Sequence, residues 1–146
     1  MHSEFMKRAL DLANEALLEG EVPVGAVIVK DGRIIAEGRN RREQKKSAIS
    51  HAEIEAIRAA NEQLCDWRLD GCTMYVTLEP CLMCTGAILN SRISCVVFGA
   101  YDVNAGCIDS AVNINDFNFC KLPVVYGGIC EDRCKAVLDK FFESVR

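Results

Sequence analysis

The chain has 146 residues, of which half are hydrophobic and 26% are charged, and its formal net charge is −4. This composition predicts one globular domain over residues 1–146, and the net negative charge is a poor global match for a nucleic-acid binder. No apolar run approaches the ~20 residues that a membrane-spanning helix needs. The N-terminal residues lack an apolar signal segment, so we expect a cytoplasmic protein without a membrane partner.

Hydrophobic spacing and turn residues predict an α/β chain in which helices and strands alternate. Asp31-Gly32 predicts a two-residue hairpin turn, and the order strand, helix, strand over 72–98 predicts a parallel crossover. We therefore expect one mixed sheet between helices. Segment 38–50 is predicted to be a polar loop, and 99–122 a long connection that could contain a short helix. The predicted helices cover 3–19, 51–63, 80–90 and 130–145, and the predicted strands cover 24–30, 33–37, 72–78, 94–98 and 123–126.

Two short stretches, His51-Ala52-Glu53 and Pro80-Cys81-Leu82-Met83-Cys84, contain the side chains that zinc prefers. A catalytic zinc site uses three protein ligands and leaves its last tetrahedral position to water, whose pKa falls from ~16 to ~7. His51, Cys81 and Cys84 supply three ligands, and the only other histidine is His2. A Cys-x-x-Cys pair alone could be a redox pair or two buried cysteines. The joint pattern instead predicts one catalytic zinc ion per subunit.

Both stretches are predicted to begin helices. Proline is favoured in the first helical turn, so Pro80 is expected to open its helix. Cys81 and Cys84 are three residues apart and should lie on one helical face. The partial positive charge of a helix N-terminus favours thiolate over thiol. We therefore expect two helix N-termini to point at the metal.

The proton-transferring carboxylate is either Glu53 or Glu55 by spacing. Residues four apart share a helical face, so spacing alone favours Glu55 beside His51. In the signature of the zinc nucleobase deaminases, the acid stands two residues after the histidine and a proline precedes the first cysteine, and this pattern selects Glu53. The expected chemistry is hydrolysis, in which Glu53 removes a proton from water, passes it to a ring nitrogen, and then helps the amine leave as ammonia.

Nine cysteines are many for a chain of this length. Because nothing directs the chain to secretion, those outside the zinc motif are predicted to be free, buried and hydrophobic in character. Cys130 and Cys134 are one helical turn apart and could share a face. The seven cysteines concerned are Cys65, Cys72, Cys95, Cys107, Cys120, Cys130 and Cys134.

The positive charge is concentrated in residues 39–46, just before His51. This segment has one acid, Glu43, and five basic residues, which are Arg39, Arg41, Arg42, Lys45 and Lys46. A basic segment beside a metal site would favour a phosphate-bearing substrate. The alternative is an ordinary solvated run of charges.

The chain resembles the bacterial tRNA-specific adenosine deaminases of the cytidine deaminase superfamily. The resemblance covers nearly the whole chain, and its most specific parts are the two zinc stretches. It also includes Asn40, the runs 21–26, 76–79, 91–93 and 96–100, and the Phe141-Phe142 ending.

This resemblance implies a three-layer α/β/α sandwich around a five-stranded mixed sheet, a homodimer, and conversion of adenosine to inosine at the wobble position of a tRNA anticodon loop. It assigns zinc to His51, Cys81 and Cys84, and the proton shuttle to Glu53. It assigns substrate contacts to Asn40, Ala52, Val22, Asp102 and Phe142.

Two other functions remain open from the sequence. A deaminase of a free nucleobase or nucleoside, of guanine, cytosine or adenosine type, would need no basic groove, and the acidic composition favours it. A non-catalytic zinc module would need a fourth protein ligand, and none is evident in the sequence.

Overall fold

The computed structural model describes residues 2–119 and 121–145. No helix in this part of the chain is both long and apolar enough to cross a membrane. Along the described residues the elements are α1 (His2–Leu18), β1 (Gly25–Lys30), β2 (Arg33–Arg39), α2 (Arg42–Lys45), α3 (Ala52–Leu64), β3 (Thr73–Leu78), α4 (Leu82–Ser91), β4 (Cys95–Ala100), a 3-10 turn (Ile114–Asp116), β5 (Val124–Tyr126) and α5 (Glu131–Ser144).

The strands form a mixed sheet in the order β2-β1-β3-β4-β5. β1 is antiparallel to both β2 and β3, whereas β4 is parallel to both β3 and β5. The β1–β2 hairpin turns at Asp31 and Gly32, whose φ angles of 52° and 76° are those of the predicted tight turn. The crossover from β3 through α4 to β4 is parallel, as predicted.

Helices cover both faces of the sheet, and this confirms the α/β/α sandwich. Alternate side chains of β1 enter different cores. Ala26 and Ile28 pack with α3 and α4, while Val27 and Val29 pack with α1 and α5. α3 and α4 form one outer layer, and α1 and α5 form the other.

Glycine lets each outer layer approach the sheet closely. A β-carbon on Gly38 of β2 would lie 2.3 Å from the Ala52 carbonyl oxygen and 2.6 Å from the Ala56 nitrogen of α3. A β-carbon on Gly25 of β1 would meet the backbone of α1 at Ala9 in the same way, 2.0 Å from its oxygen. The contact at Gly38 sets how closely the N-terminal half of α3 packs on the sheet.

The observed elements differ from the predicted ones at several ends. β2 continues two residues beyond its predicted end, because Gly38 and Arg39 pair with Ala26 and Gly25. The predicted loop 38–50 also contains the short helix α2. The connection 99–122 contains a 3-10 turn, in the segment where the sequence indicated that a short helix could form. Pro80 does not open α4, since Cys81 is the N-cap and proline precedes it.

The prediction that the remaining cysteines are free and buried is wrong in part. Cys72, Cys107 and Cys134 are free and buried, Cys95 and Cys130 are half-buried, and Cys65 is exposed. Cys65 is exposed because it ends α3 on the outside of the molecule, in the left-handed conformation. Cys130, with a φ of 56°, is the N-cap of α5, and both it and Cys134 pack in the core that α1 and α5 form with the sheet. Cys120 lies outside the described residues.

Candidate active site

His51 and Cys81 occupy equivalent positions at the starts of two helices. Each is an N-cap with extended backbone, His51 for α3 and Cys81 for α4, and neither side chain bonds back to its own helix. Both side chains therefore remain available to a shared partner. Cys84, in the first turn of α4, is the third member of the cluster. The expected meeting of two helix N-termini is observed.

The three donor atoms have the spacing of a tetrahedral zinc site. His51 Nδ1 lies 3.7 Å from Cys81 Sγ and 3.6 Å from Cys84 Sγ. Zn–S and Zn–N bonds of about 2.3 and 2.0 Å at a tetrahedral angle separate sulfur from nitrogen by about 3.5 Å. Among the described residues, no fourth His, Cys, Asp or Glu joins this cluster. The set can therefore hold a metal ion and leave one coordination position to a non-protein ligand.

Hydrogen bonds among Cys81, Cys84 and His51 favour the thiolate form of Cys81. The pKa of Cys81 falls to about 4 because the Cys84 thiol donates to its sulfur, and His51 adds to this effect against the opposing effect of burial. The pKa of Cys84 is raised, first by that hydrogen bond to Cys81 and then by burial. The hydrogen bond with Cys81 also raises the pKa of His51. Thiolate is the form that binds zinc, so Cys81 is already close to its metal-binding state.

Glu53, not Glu55, faces the cluster. The Glu53 side chain is buried in the first turn of α3, and burial raises its pKa to about 7. A cation bound at His51 would oppose that rise. A carboxyl group that titrates near neutrality can both accept and donate a proton. Glu55, which spacing alone favoured, instead forms an ion pair with Lys45 on the other side of the helix.

A pocket of about 200 Å³ opens beside the cluster. It is lined on the α3 side by Ala52, whose side chain is completely buried, and on the sheet side by Val22 and Val24. The other lining residues are Asn40, Arg42, His51, Glu53, Leu78, Glu79, Cys81, Asp102 and Ala105. The pocket is therefore apolar on two walls and polar at its floor and rim, as a site for a planar heterocycle would be.

Asn40 is buried at the rim, and both the nitrogen and the oxygen of its side-chain amide form hydrogen bonds within the protein. Its Nδ2 donates to the Val22 carbonyl at 3.1 Å, and its Oδ1 accepts from the Arg42 N–H at 3.1 Å. One N–H and one oxygen lone pair are left for a bound molecule. Asn40 thus joins the segment before β1 to the start of α2, and it lines the pocket.

The structure places the two remaining predicted substrate residues differently. Asp102 lines the pocket, although its Oδ1 accepts from the backbone N–H groups of Asn104 and Ala105 at 3.2 and 3.1 Å. Phe142 is absent from the pocket. It lies on α5, is 47% exposed, and lines an adjacent groove of about 520 Å³ that also includes Val22 and Asp102.

Two buried carboxylates near the pocket were not predicted from the sequence. Glu21 accepts from the N–H groups of Glu43 and Gln44 at 3.0 and 2.9 Å, so it holds the start of α2. Glu79 accepts several donors from the segment after β4. For Glu79 the available signal was an acid at the end of the apolar strand 73–78, because a buried charge needs hydrogen-bond partners.

The basic segment 39–46 is less positive in the structure than in the sequence. Arg39 forms two hydrogen bonds with Glu19, at 2.7 and 3.0 Å, and Lys45 pairs with Glu55. Arg42 pairs with its neighbour Glu43 at 3.4 Å and lines the pocket. Three of the five basic residues are thus paired, so the positive charge of the segment is partly neutralised.

Residues 1–100 match the family model described as the cytidine and deoxycytidylate deaminase zinc-binding region. The chain is 44% identical over 143 residues to the tRNA-specific adenosine deaminase of Bacillus subtilis (strain 168), a match that covers 97% of this chain and 89% of the relative. It is 42% identical over 145 residues to the tRNA-specific adenosine deaminase of Agrobacterium fabrum (strain C58 / ATCC 33970), with coverage of 99% and 95%.

Solved structures agree with these similarities. A chain from a study of A-to-I editing by tRNA:A34 deaminases at the wobble position superposes with a TM-score of 0.89 at 42% identity, and the match covers 92% of this chain and 98% of that one. The guanine deaminase of Bacillus subtilis superposes with a TM-score of 0.67 at 36% identity, with coverage of 85% and 87%.

Proposed function

The chain belongs to the cytidine and deoxycytidylate deaminase zinc-binding family, and we propose that it is a tRNA-specific adenosine deaminase that forms inosine at the anticodon wobble position. The observation that carries this proposal is the 44% identity to such an enzyme over 97% of the chain. In this proposal, residues 1–146 act as one domain in the cytoplasm, where the tRNA substrate is found, and need no membrane.

His51, Cys81 and Cys84 are the proposed zinc ligands. Their support is the donor spacing of 3.6 and 3.7 Å and the membership of a zinc-binding family. Zinc in such a site acts as a Lewis acid and supplies hydroxide at neutral pH. His51 and Cys81 are the N-caps of α3 and α4, so both proposed ligands are carried by helix starts.

Glu53 is the proposed proton shuttle. Hydrolytic deamination converts adenosine and water into inosine and ammonia, so one group must remove a proton from water and return it to the purine. Glu53 can accept that proton, donate it to the ring nitrogen, and assist departure of the amine. Its burial keeps bulk water from competing for the proton.

Asn40, Ala52 and Val22 are the proposed contacts of the target base, because all three line the pocket with Glu53. Asp102 and Phe142 are proposed to contact flanking nucleotides. They share the adjacent groove, which continues from the pocket through Val22 and Asp102. A single strand in which the target base enters the pocket would leave its neighbours along this groove.

The enzyme is proposed to act as a homodimer. α4 carries no charged residue, yet Leu82 on this helix is 63% exposed. The polar residues of α4 are limited to Thr85, Asn90 and Ser91, and a helix this apolar is normally buried. A second copy packed on the outer layer of α3 and α4 would cover this surface.

A second candidate is deamination of a free purine. The specific observation in its favour is the 36% identity to a guanine deaminase. The internal ion pairs of the segment 39–46 also reduce the charge available to an RNA backbone. A free base requires only the 200 Å³ pocket, not the neighbouring groove.

The deciding experiment compares substrates under one set of conditions. Purified zinc-loaded protein is incubated with total bacterial tRNA and, separately, with adenosine, guanine and cytosine. Inosine in digested tRNA and released ammonia are measured, and Glu53→Gln serves as the inactive control. The proposal expects inosine in tRNA only, at a rate that falls as salt screens the phosphate contacts. Ammonia from guanine without inosine in tRNA would establish the second candidate.

A further inference from the structure

Glu79 gathers donors from one segment of the chain. Its carboxylate is buried at the end of β3, two residues before Cys81. Oε2 accepts from the backbone N–H groups of Ile108, Asp109 and Ser110 at 3.1, 2.7 and 3.0 Å. Oε1 accepts from the Asp102 N–H at 3.1 Å and from the Ser110 hydroxyl. All of these donors belong to residues 102–110, which we call the wall segment.

The wall segment wraps tightly around this carboxylate. A β-carbon on Gly106 would lie 2.4 Å from Glu79 Cδ and 2.5 Å from its Oε1, so only glycine allows the approach. The next residue, Cys107, donates its N–H to the Pro80 carbonyl at 2.8 Å. The wall segment is thus bonded to both residues that stand between β3 and Cys81, namely Glu79 and Pro80.

The wall segment forms one side of the pocket. It contributes Asp102 and Ala105 to the lining, opposite the α3 wall that carries Ala52. Within the segment no helix or strand is present, although Asp109 takes part in an isolated bridge. Its position therefore depends on hydrogen bonds that do not belong to a helix or a sheet. Four of its backbone N–H groups donate to the Glu79 carboxylate.

We propose that Glu79 is a positioning residue that sets the distance between the wall segment and the zinc-binding residues, and so sets the width of the substrate pocket. It acts through Asp102 and Ala105 and not on the reacting atoms. The inference rests on the proposed function for its substrate, but the anchoring itself does not depend on which molecule binds.

The role requires a carboxylate. An ionised carboxylate only accepts and offers about four lone-pair sites, which matches a ring of N–H and O–H donors. A glutamine has the same shape but presents an NH₂ group to some of those donors. In either orientation of the amide, Glu79→Gln sets its NH₂ group against at least one backbone N–H, that of Asp102 at the Oε1 position or those of Ile108, Asp109 and Ser110 at the Oε2 position.

The first test is residue-resolved amide hydrogen exchange on the zinc-loaded protein. Glu79→Gln is expected to speed exchange at Asp102, Ile108, Asp109 and Ser110 by at least about tenfold, while amides in β3 and β4 keep their protection. Glu37→Gln is the matched control, because Glu37 makes an ion pair with Arg8 far from the pocket. Unchanged exchange in the wall segment would overturn the anchoring, whatever the substrate.

The second test separates KM from kcat on tRNA. Glu79→Gln is expected to raise KM about tenfold, keep kcat within about threefold, and retain the zinc content of the parent, whereas Glu37→Gln changes none of these. An equal loss of zinc and kcat with KM unchanged would overturn the proposal, since Glu79 would then serve the metal site. If the parent itself forms no inosine in tRNA, the proposed function fails and hydrogen exchange alone decides the anchoring.

Ser110→Ala is the milder variant if Glu79→Gln does not fold. It removes only the hydroxyl donor and leaves the four backbone N–H groups in place. Faster exchange at residues 108–110, with a KM increase smaller than that expected for Glu79→Gln, supports the proposal. A kcat loss at constant KM contradicts it.

Discussion

Lys45 Nζ lies 3.0 and 2.9 Å from the two carboxylate oxygens of Glu55. This ion pair joins α2 to the outer side of α3 and directs Glu55 away from the cluster of His51, Cys81 and Cys84. Glu53, two residues earlier, is buried beside that cluster. The two acids on the first turn of one helix therefore have different environments and different expected roles.

Exchanging each acid for its amide should separate these roles. Glu53→Gln is expected to lower kcat by at least about 100-fold, since a positioned general acid–base group contributes roughly 10²–10⁴ in rate. Its zinc content should stay at the parent level. Glu55→Gln removes a surface ion pair and should change kcat by less than about threefold. Steady-state kinetics with zinc analysis measures both, and the reverse ranking would identify Glu55 as the shuttle.

Zinc should contribute to folding as well as to chemistry. Removing it with a chelator is expected to lower the unfolding temperature, because a ligand that binds only the folded state stabilises it by mass action. Cys81→Ser should lose most of the bound zinc and show little further change with chelator. Cys72→Ala is the matched control, since Cys72 is buried outside the cluster. It should lose stability but keep its zinc, and zinc loss in this variant would contradict the assignment.

Gly38 sets the depth of α3 on the sheet. Gly38→Ala is expected to cost about 1–3 kcal/mol of unfolding free energy from overpacking, and to lower kcat because α3 carries Glu53. Gly32, in the same hairpin, has a φ of 76° and open space around it. Gly32→Ala should cost about 1 kcal/mol through backbone strain alone and leave kcat unchanged. Chemical denaturation and steady-state kinetics measure both effects, and equal kcat values would disprove the link through α3.

The Arg8–Glu37 pair predicts a pH-dependent contribution to stability. Hydrogen bonding to Arg8 holds the pKa of Glu37 below its ordinary value of 4.5. A lowered pKa means that the contribution is complete above the unfolded-state pKa and is lost as pH falls through the folded-state pKa. Glu37→Gln should therefore cost about 0.2–1 kcal/mol at pH 7, and less at a pH below 4.5. Urea unfolding at both pH values tests this, and a constant difference would contradict it.

Cys65 ends α3 in a conformation that glycine prefers, with a φ of 52°. Cys65→Gly is expected to raise the unfolding free energy by about 0.5–1 kcal/mol, because a left-handed cap strains a residue that has a β-carbon. In the zinc-loaded protein, where the proposed ligand Cys81 is occupied, it should also remove the thiol that reacts first with a maleimide, since Cys65 is the exposed free cysteine among the described residues. Cys65→Ala should remove the reactive thiol without the gain in stability.

The cluster of His51, Cys81 and Cys84 could be predicted from the sequence because its chemistry is local. His51, Cys81 and Cys84 are recognisable by residue type and spacing, and the helix starts that carry them follow from nearby patterns. The hairpin at Asp31-Gly32 and the parallel crossover were predictable for the same reason. Pro80 shows the limit of this reasoning, since its favoured position differs from its actual one by the single residue that makes Cys81 the N-cap.

What the sequence alone determined is the alternating order of helices and strands and the metal-binding set, since each depends on residues close together in the chain. Tertiary structure decided which acid faces the cluster, because Lys45 and Glu55 meet only after α2 packs beside α3. It also decided that Glu79 anchors the wall segment: a buried carboxylate must find its donors, but 23 to 31 residues separate Glu79 from the donors it finds. Only the folded sheet brings such distant groups within hydrogen-bond distance.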